Sequence, residues 1–511
     1  TTITANTSKV SDEITFAFTK TSRHGVTIYT NTGNKYIRGI PTGVGNGSYW
    51  NWTDGDVTMV QDIDVDGSHA TISYGLELLE VYSAQANAWE AACTTEPGIV
   101  FFDGAKGIKE TAVANLSAGT EWFWASNVLS VYSTSDPDTA YTSPGIEAGA
   151  RNNAIYIGAK NHITCDSFGL LGSNSHIVQI EGSVTGVSLT NCEISYGVGN
   201  GVIVWLTGGG ANTIDSCIIH HTGTDGVQWF DTFSGSGTES YLKNSTIYET
   251  GKFGVYAKAN YLIAEYNLVY DCGVTGTAGW GIGIQCEESD SGTGLHCIVR
   301  YNRIYGTRGD DTDGTGIQLD HWTAYNQVYG NVVSGCDGHG IVVYNSHDNV
   351  VVNNTCYGNI QRGTFSNGRY EIGLVANAGS LNYNNTVKNN IAQATSATTY
   401  AIYADANSYG QAGQSITNNC WYAAATNWYY WNATGGNVLA TWNAFTGVGT
   451  DLNSDPLFTN AAGGDFTLQA GSPCIDAGVD LGSAYQSGLA PGSTWPDGVV
   501  LIDQETHGIV P

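Results

Sequence analysis

Two short segments alternate along this chain from about residue 155 to residue 425, and they constrain its fold more than anything else in it. The first is centred on Asn or another small polar residue: "LTNCEIS", "IDSCIIH", "KNSTIY", "EYNLVY", "RYNRIY", "YGNVVS", "NNTCY", "KNNIAQ" and "TNNCWY". The second follows a Gly: "GVIVWL", "GVQWFD", "GVYAKA", "GIGIQC", "GIQLDH" and "GIVVYN", and then appears as "EIGLVA" and "AIYADA". Equivalent positions recur every 22 to 36 residues or roughly so, the length of one solenoid coil with uneven loops. Each segment alternates apolar and polar residues over about 4–6 positions, too short and too β-branched for a helix. A single coil has nothing against which to bury its inner face, whereas a stack does. The pattern predicts an all-β chain built on one parallel β-solenoid.

Composition agrees. Gly numbers 67, Pro only 9 and Met 1, which is strand-and-turn chemistry. The Gly before each strand gives the corner its backbone freedom. Recurrent Asn at another corner stacks coil above coil, each amide bonding the next as in cross-β ladders. Cys192 and Cys217 occupy the column held elsewhere by Ser245, Asn267, Asn302, Asn331, Asn354, Asn390 and Asn419. Most of the eleven Cys therefore read as core thiols. Cys272 and Cys336, two coils apart, are separated by about 9–10 Å and cannot bridge. Cys286 and Cys297 bracket the acidic loop "EESDSGTGLH" and are the pair to test as a loop staple.

These coils resemble the right-handed parallel β-helix proteins of the pectate-lyase-like superfamily. Two flanking stretches strengthen the resemblance: "EWFWASNVLSVYSTSDPDTAYTSPGIEAGARNNAIYI" (121–157) and "SDPLFTNAAGGDFTLQAGSPCIDAG" (454–478), which looks like a closing segment. The expected organisation is an N-terminal β-rich region and cap over 1–120, a right-handed parallel β-helix over 121–450, and a closing segment over 451–511. The resemblance implies a carbohydrate ligand but no single activity, because the superfamily holds hydrolases, lyases, epimerases, tailspikes and adhesins.

The chain carries 18 basic against 46 acidic residues, a net charge of −28. Phosphate contacts need Lys and Arg, so no nucleic-acid partner is expected. No apolar run approaches the roughly 20 residues that span a membrane. An extracellular protein, monomeric or a small homo-oligomer, suits these properties.

The outward side chains of the Gly-led strands are the candidate ligand face. If the residue after Gly points inward, the outward pairs are Ile203/Trp205, Gln228/Phe230, Tyr256/Lys258, Gly283/Gln285, Gln318/Asp320 and Val342/Tyr344, extended by Glu287 and Trp322. Asp231, His321 and Asn345 sit at strand ends. Trp205, Phe230, Tyr256, Trp322 and Tyr344 offer aromatic faces to sugar rings, and Gln228, Gln285 and Gln318 offer amides to hydroxyls. Asp231 and Lys258 complete the candidate binding set. For catalysis the carboxylates of Asp320 and Glu287 are the candidates, one as general acid and the other as base or nucleophile, with His321 tuning Asp320. One coil and two strand positions place their backbones roughly 8 Å apart.

Three functions follow from these residues. The first is a secreted glycoside hydrolase acting through Asp320 and Glu287. The second is a polysaccharide lyase or epimerase, needing Lys258 or Tyr256 as base and a cation for a uronate. The third is a non-catalytic adhesin or tailspike-like carbohydrate-binding protein. No cofactor is required by the first. Asp310, Asp311 and Asp313 in "DDTDG", and the run "DIDVDG" (62–67), could wrap Ca2+. Polygalacturonase motifs are echoed by "TDG" (224–226), "GDD" (309–311) and "GHG" (338–340), which point to Asp311 and His339. Two extra coils separate the first from the second, and no Arg-Ile-Lys follows, so these read mainly as turns.

Overall fold

In a computed structural model of the chain, the described residues are 87–503, apart from 275–279, 289–294, 311, 365–367, 378–381, 397, 409–410, 412, 424–426, 432 and 448, together with the backbone of five strands before residue 62. Two compact units result, Thr1–Glu96 with Val100–Glu147, and Pro97–Ile99 with Ala148–Pro511. The run at 62–67 lies outside the described residues.

The first unit is mostly antiparallel, with a parallel pair between Ile108–Lys109 and Glu121–Ala125. Glu13–Phe16 pairs with Ser48–Thr53, which pairs with Asp56–Gln61, and Val26–Tyr29 forms a hairpin with Tyr36–Gly39. Later in the unit, Val100, Phe102, Trp122, Leu129 and Val131 make a small core of their own.

The second unit is the solenoid. Three sheets run its length, of twelve, ten and ten strands, and successive strands of each sheet come from successive coils. All pair in parallel except the last strand of the twelve-stranded sheet, Thr434–Gly436, which returns antiparallel on Tyr429–Trp431. That sheet contains the Gly-led strands and is called here the site sheet. Its inward column runs Val178, Val202, Val227, Val255, Ile284, Ile317 and Ile341 in direct register, all essentially inaccessible to solvent. Each such side chain contributes roughly 1.5–3 kcal/mol by leaving water.

The corners explain the Asn segments. Tyr301, Asn353, Asn389 and Asn418 adopt left-handed backbone with φ between 55 and 60°, a conformation that Asn tolerates better than most residues. The chain turns there and aims the next residue inward, so Asn302, Asn354, Asn390 and Asn419 are buried. Asn302 donates its backbone N–H and its Nδ2 to Asn331 Oδ1, both at 3.0 Å. Asn331 does the same to Asn354, Asn354 to Asn390, and Asn390 to Asn419. Ser245 joins through its N–H to Asn267 Oδ1, and Cys217 through its N–H to Ser245 Oγ. The ladder ends on Asp451, whose Oδ1 accepts from Asn419 N at 2.7 Å and whose Oδ2 accepts from Trp442 Nε1 at 2.6 Å.

Trp442 belongs to the helix Leu439–Thr446 and is fully buried in the solenoid core. The segment beyond it runs back along the outside. Tyr301 donates to Ser487 O, Trp495 Nε1 to Tyr301 O and Tyr485 to Gln327 Oε1, and Phe458, Phe466 and Leu489 pack there. The eleven Cys are free thiols. Cys286 and Cys297 lie in the core, where Cys297 Sγ donates to Ala259 O at 3.0 Å. Among the described residues no helix is long and apolar enough to cross a membrane.

Candidate functional site

The outer face of the site sheet carries two columns of side chains, one on each outward position of its strands. The first column runs Tyr156, Gln179, Ile203, Gln228, Tyr256, Gln285, Gln318 and Val342. The second contains Glu181, Trp205, Phe230 and Lys258 in register, then Glu287 and Asp320, with Tyr344 at the same strand position on the next coil.

One register differs from the sequence reading. Gly283, not Gly281, leads the strand Ile284–Glu287, so Gln285 pairs with Gln318 and Glu287 pairs directly with Asp320. The two carboxylates are therefore cross-strand neighbours, one inter-strand step of about 4.8 Å apart at the backbone, not the roughly 8 Å expected. "GWGIGIQC" offers two glycines two residues apart, each followed by Ile. A shift of two preserves which side chains face outward, and so hydrophobic alternation does not detect it.

That pairing builds a compact polar centre. Gln285 Nε2 donates to Glu287 Oε2 at 2.9 Å and to Asp320 Oδ2 at 3.0 Å. Two oxygens bonded at those lengths to one nitrogen lie within about 6 Å of each other. Gln318 Nε2 adds a second donor to Asp320 Oδ2 at 3.0 Å. Lys258 Nζ sits 3.0 Å from Glu287 Oε1. Tyr256 shares this pocket, with Lys258 Nζ 5.6 Å from its ring centroid. Burial, and then the Glu287 carboxylate, push the Tyr256 hydroxyl far above the ordinary phenol range. Gln285 Oε1 is buried without a hydrogen-bond partner.

Asp320 is only 6% exposed. The strand ends at it, and His321 and Trp322 take left-handed backbone with φ of 43° and 65°. This turn brings His321 Nδ1 to 2.7 Å from Asp320 Oδ1, an ion-pair contact off the line of a well-directed hydrogen bond. The Asp320 carboxylate raises the His321 pKa above its ordinary value and outweighs the burial that would lower it. Trp322 is exposed in the turn beyond the strand, so it stands beside the outward column and is not part of it.

Aromatic rings flank this centre along the solenoid axis. Trp205 is 53% exposed and meets Phe230 edge-on at 4.9 Å; Phe230 meets Tyr256 at 5.9 Å. On the other side Tyr344 lies 5.8 Å from the His321 ring. Gln228 is half-buried and accepts from Asn200 Nδ2 at 2.7 Å.

Other expected residues lie apart from this centre. Asp231 is fully buried, and its carboxylate accepts from Phe233 N, Ser234 N, Ser234 Oγ and Ser240 Oγ. It ties down a turn and faces no ligand, which corrects its assignment to binding. Asp310 Oδ1 accepts from Thr312 N and Oγ1, and Asp313 Oδ2 from Thr312 Oγ1, an arrangement within the turn itself. Asp311 lies outside the described residues. Among the described residues no three His, Cys, Asp or Glu side chains converge as a metal site. His339 is buried, stacked on Tyr370 at 3.8 Å and bonded through Nε2 to Gly368 O.

Further acidic and outward groups border the site. Asp225 is buried beside the first column, and burial pushes its pKa up to about 6. Burial also pushes Asp313 up to about 6. Tyr156, Gln179 and Glu181 extend both outward columns toward the N-terminal coils. The signal was present, because "QIE" (179–181) repeats the Gln-x-acid spacing of "QCE" (285–287) and "QLD" (318–320).

Residues 153–355 match the family model described as "Right handed beta helix region". The solenoid has the fold of a right-handed parallel β-helix. This β-helix is similar to the A-module of a mannuronan C-5 epimerase from Azotobacter vinelandii (12% identity, 59% of this chain and 78% of that one, TM-score 0.41). It is also similar to an alginate lyase from Paenibacillus sp. str. FPU-7 (18%, 56% and 97%, 0.38) and to the Dettilon tailspike protein (16%, 54% and 61%, 0.35). These are likenesses of architecture. A search of curated proteins finds no match to this β-helix chain.

Proposed function

We propose that this β-helix hydrolyses a neutral polysaccharide on the outer face of its site sheet, with Glu287 as nucleophile and Asp320 as proton donor. The observation that carries the reading is the Gln285 amide, which bonds one oxygen of each carboxylate. Their separation of at most about 6 Å fits the spacing of about 5–5.5 Å used for retention better than the 6.5–9.5 Å used for inversion.

The roles follow from the surroundings. Lys258 Nζ, 3.0 Å from Glu287 Oε1, sets an ammonium beside the carboxylate assigned as nucleophile. His321, with its raised pKa, holds a proton against Asp320 Oδ1. Asp320 passes that proton to the glycosidic oxygen while Glu287 attacks the anomeric carbon and the C–O bond breaks. A water deprotonated by Asp320 then attacks the glycosyl ester and frees Glu287, with net retention.

Elimination is the weaker reading. Its base would be Lys258 or Tyr256, but Lys258 is engaged in its ion pair with Glu287, and the raised pKa of Tyr256 keeps the proton on its hydroxyl. The test is a panel of neutral and uronate polysaccharides assayed for new reducing ends and for the ultraviolet absorbance of unsaturated products. Reducing ends without that absorbance, lost in Asp320→Asn and in Glu287→Gln, are expected. Unsaturated products would replace hydrolysis by elimination. Turnover no higher than that of Asp320→Asn on every polymer would make the face a binding surface only.

A further inference from the structure

The polar centre at Glu287 has a partial counterpart at the other end of the same face. There Glu181 stands in the outward column that leads to Glu287, four coils away. Gln179 Nε2 donates to Glu181 Oε2 at 2.6 Å, as Gln285 does to Glu287. The Tyr156 hydroxyl on the preceding coil bonds Glu181 Oε1, and Tyr256 on the coil preceding Glu287 approaches that carboxylate in the same way. The two ends thus share a Tyr, a Gln and a Glu in one spatial order.

Their differences define their roles. Glu287 has an ammonium at 3.0 Å and a second carboxylate on the next coil. Among the described residues Glu181 makes no ion pair, and the next coil places Trp205 opposite it. A lone carboxylate without acid or base partner binds hydroxyls but does not cleave bonds. Tyr156 is 57% exposed and Trp205 is 53% exposed, so rings are displayed on both sides of Glu181. Between the two polar ends the column carries Trp205 and Phe230, apolar and in edge contact. Polar end, aromatic saddle, polar centre is the alternation that a sugar chain presents in its hydroxyl rims and ring faces.

We infer that Tyr156, Gln179 and Glu181 form a distal subsite for a neutral glycan chain that lies along the solenoid axis and is cut at Asp320 and Glu287. This rests on the hydrolytic reading above and adds to it the length and path of the substrate chain. Five coil steps separate Glu181 from Asp320, about 24 Å at 4.8 Å per step, which only a chain of several sugars spans. Glu181, Glu287 and Asp320 outnumber Lys258 along this path even with His321 protonated as an offset, so a uronate or sulfated chain meets no net positive charge there.

The test uses the full chain carrying Asp320→Asn, so that binding is read without turnover, titrated calorimetrically with cello-, xylo-, manno- and laminari-oligosaccharides of two to eight units. Affinity is expected to rise with length and to level off only once the chain reaches Glu181. The Tyr156→Ala/Glu181→Gln pair is expected to weaken the longest binder by about tenfold or more and to bring its affinity to that of the short ones. In the active background the same pair should raise KM on the polymer with little change in kcat. Equal affinity in the two proteins, with hydrolysis intact, would overturn the subsite while leaving the hydrolytic reading in place. Absence of both binding and hydrolysis across the panel would overturn both. Tyr156→Phe, which keeps the ring, separates loss of stacking from loss of the hydroxyl.

Discussion

The inside and the outside of each coil are built from the same strands and obey opposite rules. Inside, the same residue recurs: Asn302, Asn331, Asn354, Asn390 and Asn419 make the same two bonds to the next coil. Outside, Trp205, Phe230, Lys258, Glu287, Asp320 and Tyr344 follow one another with no repetition. A buried amide must find its partner within its own fold, and an identical neighbour one step away always supplies it. A solvent-facing side chain has no such obligation, so each coil is free to contribute a different group. Regularity makes the scaffold, and departure from it makes the site.

Breaking the outer rule should cost turnover alone. Asp320→Asn is expected to lower kcat by about 10²- to 10⁴-fold, with a melting temperature within a degree or two of the wild type, read by calorimetry. Breaking the inner rule should do the reverse. Asn331→Ala leaves the buried N–H groups of Asn302 without their acceptor, at about 2–4 kcal/mol of stability in urea titration, with kcat per folded molecule preserved.

Two acid–base predictions sharpen the contrast. On the outer face, Asp320 holds His321 protonated above its ordinary pKa. Activity should fall as pH rises through that raised value, and His321→Gln should remove this limb of the pH–rate profile. On the inner side, Glu371 is fully buried and accepts from Asn359 N and Nδ2, and burial pushes its pKa up to about 8 from an ordinary 4.5. Its folded pKa exceeds its unfolded one, so its stabilising effect is complete below about pH 4.5 and is lost as pH rises through about 8. Glu371→Gln should therefore melt above the wild type by a margin that widens across that window and then levels off. The smallest effect expected is Trp205→Ala, a severalfold rise in KM with kcat and stability unchanged.

The same contrast sets how much of the molecule was legible. The Asn column, the Gly-led strands and the outward parity could be read because repetition states them many times over. The pairing of Glu287 with Asp320 could not, because it depends on choosing Gly283 over Gly281 and alternation is blind to a shift of two. Asp231 looked like a groove residue because it ends a site strand. Only the turn that folds back onto it, through Ser234 and Ser240, consumes its carboxylate. Glu181 is visible only as the spacing "QIE", on a strand preceded by His176 and Ile177 and not by Gly, so the Gly-led pattern does not reach it.

The Asn ladder also has a direction. Each amide oxygen accepts from the N-terminal side, and each Asn donates its backbone N–H and Nδ2 to the next amide oxygen toward the C-terminus, while Nδ2 also donates back to a backbone carbonyl of the preceding coil, so it is the amide-to-amide bonds that run one way. At the donor end of that row the backbone N–H and Nδ2 of Asn419 need an acceptor. Asp451 supplies it with a carboxylate, and Trp442 holds that carboxylate in place. The stack is thus closed by charge of the sign its donors call for, and coil-on-coil growth, which suits a fibre, ends within a single chain.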